Sequence, residues 1–405
     1  MTGRAPPLAG VRVLDLTRLL PGPMCTLYLA DLGADVVKIE DTGAGDYART
    51  LSPMPSAQPA DPSRMTAWYR AINRNKRSLA IDLKAPAGHA AFMALARDAD
   101  VVVEGFRPGV VHSLRVDYDR VRAVNPGIVY CALSGYGQTG PRAQAAGHDV
   151  NYLGYAGVLH HTGVRGGAPA LASLQIADVL GGAATAAIAI LGALFGAART
   201  GAGRYVDVAM ADAMLAHQVF ALGALEDAGG VASRGEDLLT GGVPCYGVYP
   251  TRDDGWLAVG ALEAKFWRAL CDTLGRPDLV PLQFATGAEG AGVRRTLEAI
   301  FATATRDEWA ARFATVDCCV TPVLDFAQAL ADPQFAARGM VIRGADGARQ
   351  YAPPFALSPP TFVVTRDAPR QGEHTREVLR EAGYADAAIE ELVSAGVVKV
   401  LGSEL

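Results

Sequence analysis
Between Val11 and Ser134, short apolar, β-rich runs alternate with helical patterns, and that alternation restricts the fold more than any other feature of the chain. VRVLDLT (Val11–Thr17) reads as a buried strand, MCTLYLADLG (Met24–Gly33) as a helix closing on glycine, and ADVVKIE (Ala34–Glu40) as a second strand. RSLAIDL (Arg77–Leu83), a helix through GHAAFMALARDA, DVVVEGF (Asp100–Phe106), a helix through VVHSLRVDYDRVRAV and IVYCALS (Ile128–Ser134) repeat the unit. Apolar strands joined by crossover helices are covered on both faces in a parallel sheet. The expectation is an α/β fold whose large, Rossmann-like domain holds a doubly wound, mostly parallel sheet.

Beyond the sheet, VLGGAATAAIAILGALFGAA (Val179–Ala198) has the length of a membrane span, but Ala and Gly dominate it and Asp178 precedes it directly. It reads as a buried core helix, with no membrane partner. GRYVDVAMADAMLAHQVFAL (Gly203–Leu222) is a strand running into a helix, and EDAGGVASRGEDLLTGG (Glu226–Gly242) is glycine-rich and charged, as a linker is. VPCYGVYPTRDDGWLAVGAL (Val243–Leu262) carries a hairpin signal at Arg252-Asp253-Asp254-Gly255, and amphipathic helices follow it. The expected division is a large α/β domain over 1–222, a smaller α+β domain over 223–330, and a segment over 331–405 that returns to the large domain.

Charge and cysteines narrow the function classes. The net charge is −5 and no cluster of Lys and Arg is interleaved with aromatics, so nucleic acid is not an expected partner. The six cysteines show no C-x-x-C and no zinc spacing, which points to a reducing, cytoplasmic setting and no metal site. The opening MTGRAPPLAGVRVLDLTRLL lacks the long apolar stretch of a secretory signal.

Open α/β sheets bind ligands beyond the carboxyl ends of their strands. The loops expected there are RLLPGP (Arg18–Pro23), EGFRPG (Glu104–Gly109) and SGYGQTGP (Ser134–Pro141), none of which matches a dinucleotide or P-loop motif. His148 follows the third loop, with Asp149 or Asn151 available to cap the next helix, so its imidazole is a candidate acid/base. Asp178 opens the long apolar helix. It reads either as an N-cap or as a carboxylate beside a ligand, with neighbouring N–H groups left for an oxyanion. Glu263 directly follows WLAVGAL and also fits an exposed first turn. Arg18, Lys38, Lys76, Arg77 and Arg107 cluster near strand termini and suit a phosphorylated ligand, or are solvated charge. Together these features describe an α/β enzyme with an acid/base site and an anionic ligand, without naming the reaction.

A set of motifs does name a family. RVLDLTRLLPGPMCTLYLADLGADVVKIE, NRNKRSLAIDLK, VVVEGFRPGVV, YCALSGYGQTGP, AGHDVNYLGYAGVL, IADVLGG, GRYVDVAMADAML, EDLLTGGVPCYGVYPTRDDGWLAVGALEAKFW, CVTPV and GEHTREVL, in that order from about Val11 to Leu379, resemble the family III CoA-transferases of the CaiB/BaiF type. His148, Glu263 and GGVPCY together resemble its racemase branch, which epimerises C2 of 2-methylacyl-CoA thioesters. The resemblance implies that His148 and Asp178 flank the substrate α-carbon as acid and base, with Glu263 partnering the histidine. It implies CoA contacts from Ala80, Ile81, Asp82 and Leu83 and from Gly147, Asp149, Val150, Asn151 and Tyr152, with Lys38 and Arg107 near phosphates. Coenzyme A would be part of the substrate, and no separate cofactor is implied. The resemblance also implies an interlocked homodimer in which Glu263 reaches His148 across subunits. In the transferase alternative Asp178 attacks the acyl thioester; in a second alternative the protein binds acyl-CoA without turnover.

Overall fold
The computed structural model describes residues 5–52, 65–345 and 347–402. The chain divides into two compact units, one of Met1–Ala156, Leu174–His217 and Ala337–Leu405, the other of Gly157–Ser173 and Gln218–Ala336. The strands are β1 (Arg12–Asp15), β2 (Asp35–Glu40), β3 (Lys76–Ile81), β4 (Val101–Glu104), β5 (Val129–Ser134), β6 (Arg204–Ala209), β7 (Tyr246–Pro250), β8 (Trp256–Gly260), β9 (Val320–Pro322), β10 (Val341–Arg343), β11 (Arg349–Tyr351) and β12 (Val398–Lys399).

The sheet of the large unit runs in the order β12-β3-β2-β1-β4-β5-β6. Strands β1 to β6 are mutually parallel, and β12 pairs antiparallel with β3. Every residue of β3, β4 and β5 is buried, as expected where both faces are covered. Leu14, Val37, Leu79, Val102 and Tyr130 share one core with Phe92 and Leu95 of the helix Pro86–Arg97. The same core takes Val378, Leu379, Ile389, Leu392 and Val398, so the last part of the chain closes the large unit. Helices Pro21–Asp31 and Thr185–Thr200 pack against β1, β4, β5 and β6.

Two elements differ from expectation. The helix expected after β4 is split into Val110–Ser113 and Tyr118–Val124. Arg115 between them takes φ +60°, a left-handed conformation that no helix interior contains. The long apolar helix spans Ala177–Thr200, whose first eight residues, Ala177–Ala184, are π-helical. By length and composition it could cross a membrane. Within this chain Gly181, Gly182, Ala186, Ile190 and Ala193 form its buried side, whereas Ile188 and Phe195 are 72% and 66% exposed. It is a core helix on one side only.

The small unit has an antiparallel sheet in the order β7-β8-β9. The hairpin between β7 and β8 turns where expected, with Asp254 at φ +57°. Its core joins Tyr249, Leu257 and Val259 to Trp267, Leu270, Leu297, Phe301 and Trp309 from the amphipathic helices.

Candidate active site
The strand order of the large sheet reverses between β1 and β4, which is where a ligand crevice is expected in this topology. A cavity of about 490 Å³ lies there. Thr17 and Arg18 line it after β1, Phe106 and Arg107 after β4, and Tyr136 and His148 after β5, with Asp178 and Met210 completing the wall.

His148 is the N-cap residue of the helix Asp149–Tyr155, and its N–H donates to Asn151 Oδ1 at 3.0 Å. The sequence offered Asp149 or Asn151 as the cap and left His148 free; the N-cap position falls instead on His148, with Asn151 reaching back to its N–H from the third helical position. Tyr152, in the same helix, wedges its ring against Gly135 and Gly147, where an added Cβ would fall 2.3 and 2.7 Å from the ring. Its hydroxyl donates to the Gly147 carbonyl at 2.6 Å, so the peptide just before His148 is held from the helix that follows it.

Asp178 lies in the first π-helical turn, but it does not cap the helix. Asp149 does: its Oδ1 accepts the N–H groups of Ala177 at 2.7 Å and Asp178 at 3.1 Å. Of the neighbouring N–H groups expected to remain for an oxyanion, those of Ala177 and Asp178 are therefore occupied. The N–H of Asp149, at the head of the His148 helix, has no hydrogen-bond partner among the described residues. Burial pushes the Asp178 carboxyl up and the Asp149 carboxylate pushes it further, to about 7. No cation is paired with it among the described residues, and a group at that value can hold or give up a proton near neutrality.

The other expected site residues divide clearly. Gly147, Asn151, Tyr152 and Arg107 line the cavity with His148 and Asp178. Asp149 is committed by its carboxylate to the Asp178 helix rather than to a ligand. Val150 is exposed beside His148 but is not part of the cavity wall. Lys38, expected near a phosphate, is 0% exposed, with its ammonium on Thr17 O and Asp46 Oδ2, both at 2.9 Å. Ala80 and Ile81 are buried and register with Lys399 and Val398 of β12, and Asp82 and Leu83 follow them, all outside this cavity. Glu263 is the exposed N-cap residue of the helix Ala264–Thr273 in the small unit, and its side chain makes no cap bond. Among the described residues, no group of three or more His, Cys, Asp or Glu side chains could hold a metal ion.

Sequence reasoning missed Glu104, the last residue of β4, which is 2% exposed and accepts the Phe106 N–H at 2.7 Å. Burial raises its carboxyl to about 7, against the Phe106 N–H and with the help of Asp207. The available signal was a glutamate closing an otherwise apolar run, VVVE.

Comparison with known proteins agrees with this geometry. The family model for CoA-transferase family III matches residues 8–375. The chain is 34% identical to human alpha-methylacyl-CoA racemase over 97% of both proteins. It is also 34% identical to the succinate–glutarate CoA-transferase of Agrobacterium fabrum, over 94% of this chain and 97% of that one. Among solved structures, a CAIB/BAIF family protein from Brucella suis superposes with a TM-score of 0.81 at 29% identity, covering 94% of this chain and 100% of the other. Rv3272 from M. tuberculosis gives 0.78 at 29% identity over 92% and 99%. A parallel sheet with its cavity at the strand-order reversal and a family match across nearly the whole chain place this protein in CoA-transferase family III.

Proposed function
We propose that this protein is an isomerase that inverts C2 of 2-methylacyl-CoA thioesters by moving a proton. The observation that carries this reading is the pairing of His148 with Asp178 on one cavity, the carboxyl held near neutrality with no cation beside it. The α-hydrogen of a thioester is weakly acidic, so its removal needs a base on one face and donors for the developing enolate oxygen. One of His148 and Asp178 takes the proton, and the other returns one to the opposite face. The N–H of Asp149, next to His148 at the head of its helix, meets the enolate oxygen, and Arg107 meets the anionic part of coenzyme A. Coenzyme A enters as part of the substrate.

In the same reading Glu263 orients His148 and steadies its charged form, and the working unit is a homodimer in the cytoplasm. The exposed Leu180, Ile188 and Phe195 on one helix support a covered face in the assembly. Light scattering on the purified protein tests that part directly.

Family transfer chemistry is the second reading, supported by the equal identity to a racemase and to a transferase. There Asp178 attacks the acyl thioester, forming an anhydride and releasing the CoA thiolate. A nucleophilic carboxylate must be ionised, and a carboxyl held at about 7 suits proton transfer better. Incubation with (2R)- or (2S)-2-methylacyl-CoA in heavy water separates the two. Deuterium at C2 with loss of chirality, abolished in His148→Ala and Asp178→Ala, supports the isomerase. A covalent Asp178 adduct without C2 exchange would sink it in favour of transfer.

A further inference from the structure
Glu104 is not alone in its row. In the parallel register Glu104 pairs with Ala132, and Ala132 pairs with Asp207. Two carboxylates on β4 and β6 therefore share one sheet face, separated only by the methyl of Ala132 on β5. Each is bound to the backbone of a different cavity loop. Glu104 Oε2 accepts the N–H of Phe106, whose neighbours Gly105, Arg107 and Pro108 also line the cavity. Asp207 Oδ2 accepts the N–H of Gln138 at 3.0 Å, in the loop that runs on to His148. The two loops are tied where Gln144 Nε2 donates to the Pro108 carbonyl at 3.0 Å.

We propose that Glu104 is a positioning residue which, together with Asp207 in the same row, sets the two loops that carry Arg107 and His148 to the cavity. Its hold depends on charge. An ionised carboxylate accepts an amide N–H more strongly than a neutral acid does, while the second carboxylate in the row opposes that ionisation. The groups facing this part of the sheet are Asp207 and Tyr205 on β6, Tyr130 and Cys131 on β5, and Asp117 and Tyr118 beside Tyr130. Arg120 pairs with Asp117 and Arg122 lies over Tyr118, but among the described residues the charge acting on Glu104 is Asp207, so proton uptake is the means by which this row sheds charge. For its effect on turnover the proposal rests on the acid/base reading above. For its effect on the loops it does not.

Hydrogen exchange followed by mass spectrometry on the whole protein, corrected for intrinsic rates, reads the loops without any substrate. In local openings that part Phe106 from Glu104 while the carboxyl stays buried, as distinct from global unfolding, protection of the peptide containing Phe106 in the unmodified protein is expected to rise about threefold or more between pH 6 and 8. Glu104→Gln keeps the shape and the acceptor but cannot ionise, and its protection should stay flat. Asp207→Asn removes the opposing charge, and the midpoint should move to lower pH. A flat unmodified protein, a midpoint surviving in Glu104→Gln, or one unshifted in Asp207→Asn overturns the proposal. If Glu104→Gln does not fold, the Asp207→Asn midpoint decides. C2 exchange on the same samples keeps the two readings apart, since an inactive protein with a Glu104-dependent midpoint loses the isomerase and retains the positioning residue.

Discussion

The large unit buries carboxylates in two different ways. Beneath β1 to β3 each acid has a cation. Asp15 meets Lys76 at 3.3 Å, Asp46 meets Lys38 at 2.9 Å, and Glu40 and Asp31 are clasped by Arg49 and Arg74, each at 2.5 Å. In and beside the cavity, the charged groups that act on Asp178 and Glu104 are other carboxylates, Asp149 and Asp207. Burial acts on both groups in the same direction, but where the cations prevail the outcome is opposite: Asp15 and Glu40 are lowered, while Asp31 stays raised even with Arg74 on it. Burial pushes Asp15 up, and Lys76, Lys38 and two hydroxyls more than offset that, leaving it at about 2. Asp178 and Glu104 have no such offset and rest at about 7. A cation makes a buried acid part of the framework, whereas its absence leaves a proton available for chemistry.

The largest effect expected from this contrast is on turnover. Asp178→Asn and His148→Ala should each lower C2 exchange by on the order of 10²–10⁴-fold. Above about pH 7 the denaturation midpoint should change little for His148→Ala and rise for Asp178→Asn, because the raised carboxyl it replaces costs the native state stability there. In the proposed isomerase the pair would work while it holds one proton between its two members. The pH profile of kcat/KM should therefore be bell-shaped with one limb near pH 7, and alike for both enantiomers, because the equilibrium constant between them is near one.

Framework substitutions should show the reverse. Lys76→Met or Lys38→Met strands a buried carboxylate and should cost about 3–5 kcal/mol in urea denaturation. Next in size is Glu104→Gln. The native carboxyl is raised above its unfolded value, so the unfolded chain ionises first and stability falls as pH rises from 4.5 through about 7. Relative to the unmodified protein the glutamine variant should gain about 3 kcal/mol at pH 8 and nothing at pH 4. Smallest are the cavity arginines: Arg107→Ala should raise KM about tenfold. Arg18, already paired with Asp41 at 2.7 Å on a half-exposed edge, should change KM by less than about fivefold when replaced.

The same contrast explains what could be read from the sequence. The strands β1 to β5 were legible because each carries a short apolar stretch within an alternation of strand and helix patterns, and His148 and Asp178 stood where such a sheet exposes its loops. The cations near the strand ends were not separable by type. Lys38 and Arg107 look alike in a string of letters, but Lys38 points into the sheet toward Asp46, and only pairing across 8 residues of chain and a strand end decides it. Arg77 likewise is spent on Asp35, Glu377 and Glu381, the last two about 300 residues away. The π-helical turn, and Asp149 as the cap of a helix 28 residues later, leave no local pattern at all.

That π-helical turn makes the direction of Asp178 a matter of counting. Gly181 and Gly182 sit close against Met210 and Pro21, which pins the helix just beyond the aspartate. Removing one residue between Asp178 and Gly181 would shorten the path from the pinned glycines to the aspartate, and the tighter winding gained as the turn relaxes to ordinary α geometry would only partly offset the lost rotation. The aspartate would still be in the chain, in the same helix, next to the same cap, but aimed elsewhere. Length, and not only residue identity, is thus part of the information this site stores, and a single-codon deletion there would erase the site without changing any of its named residues.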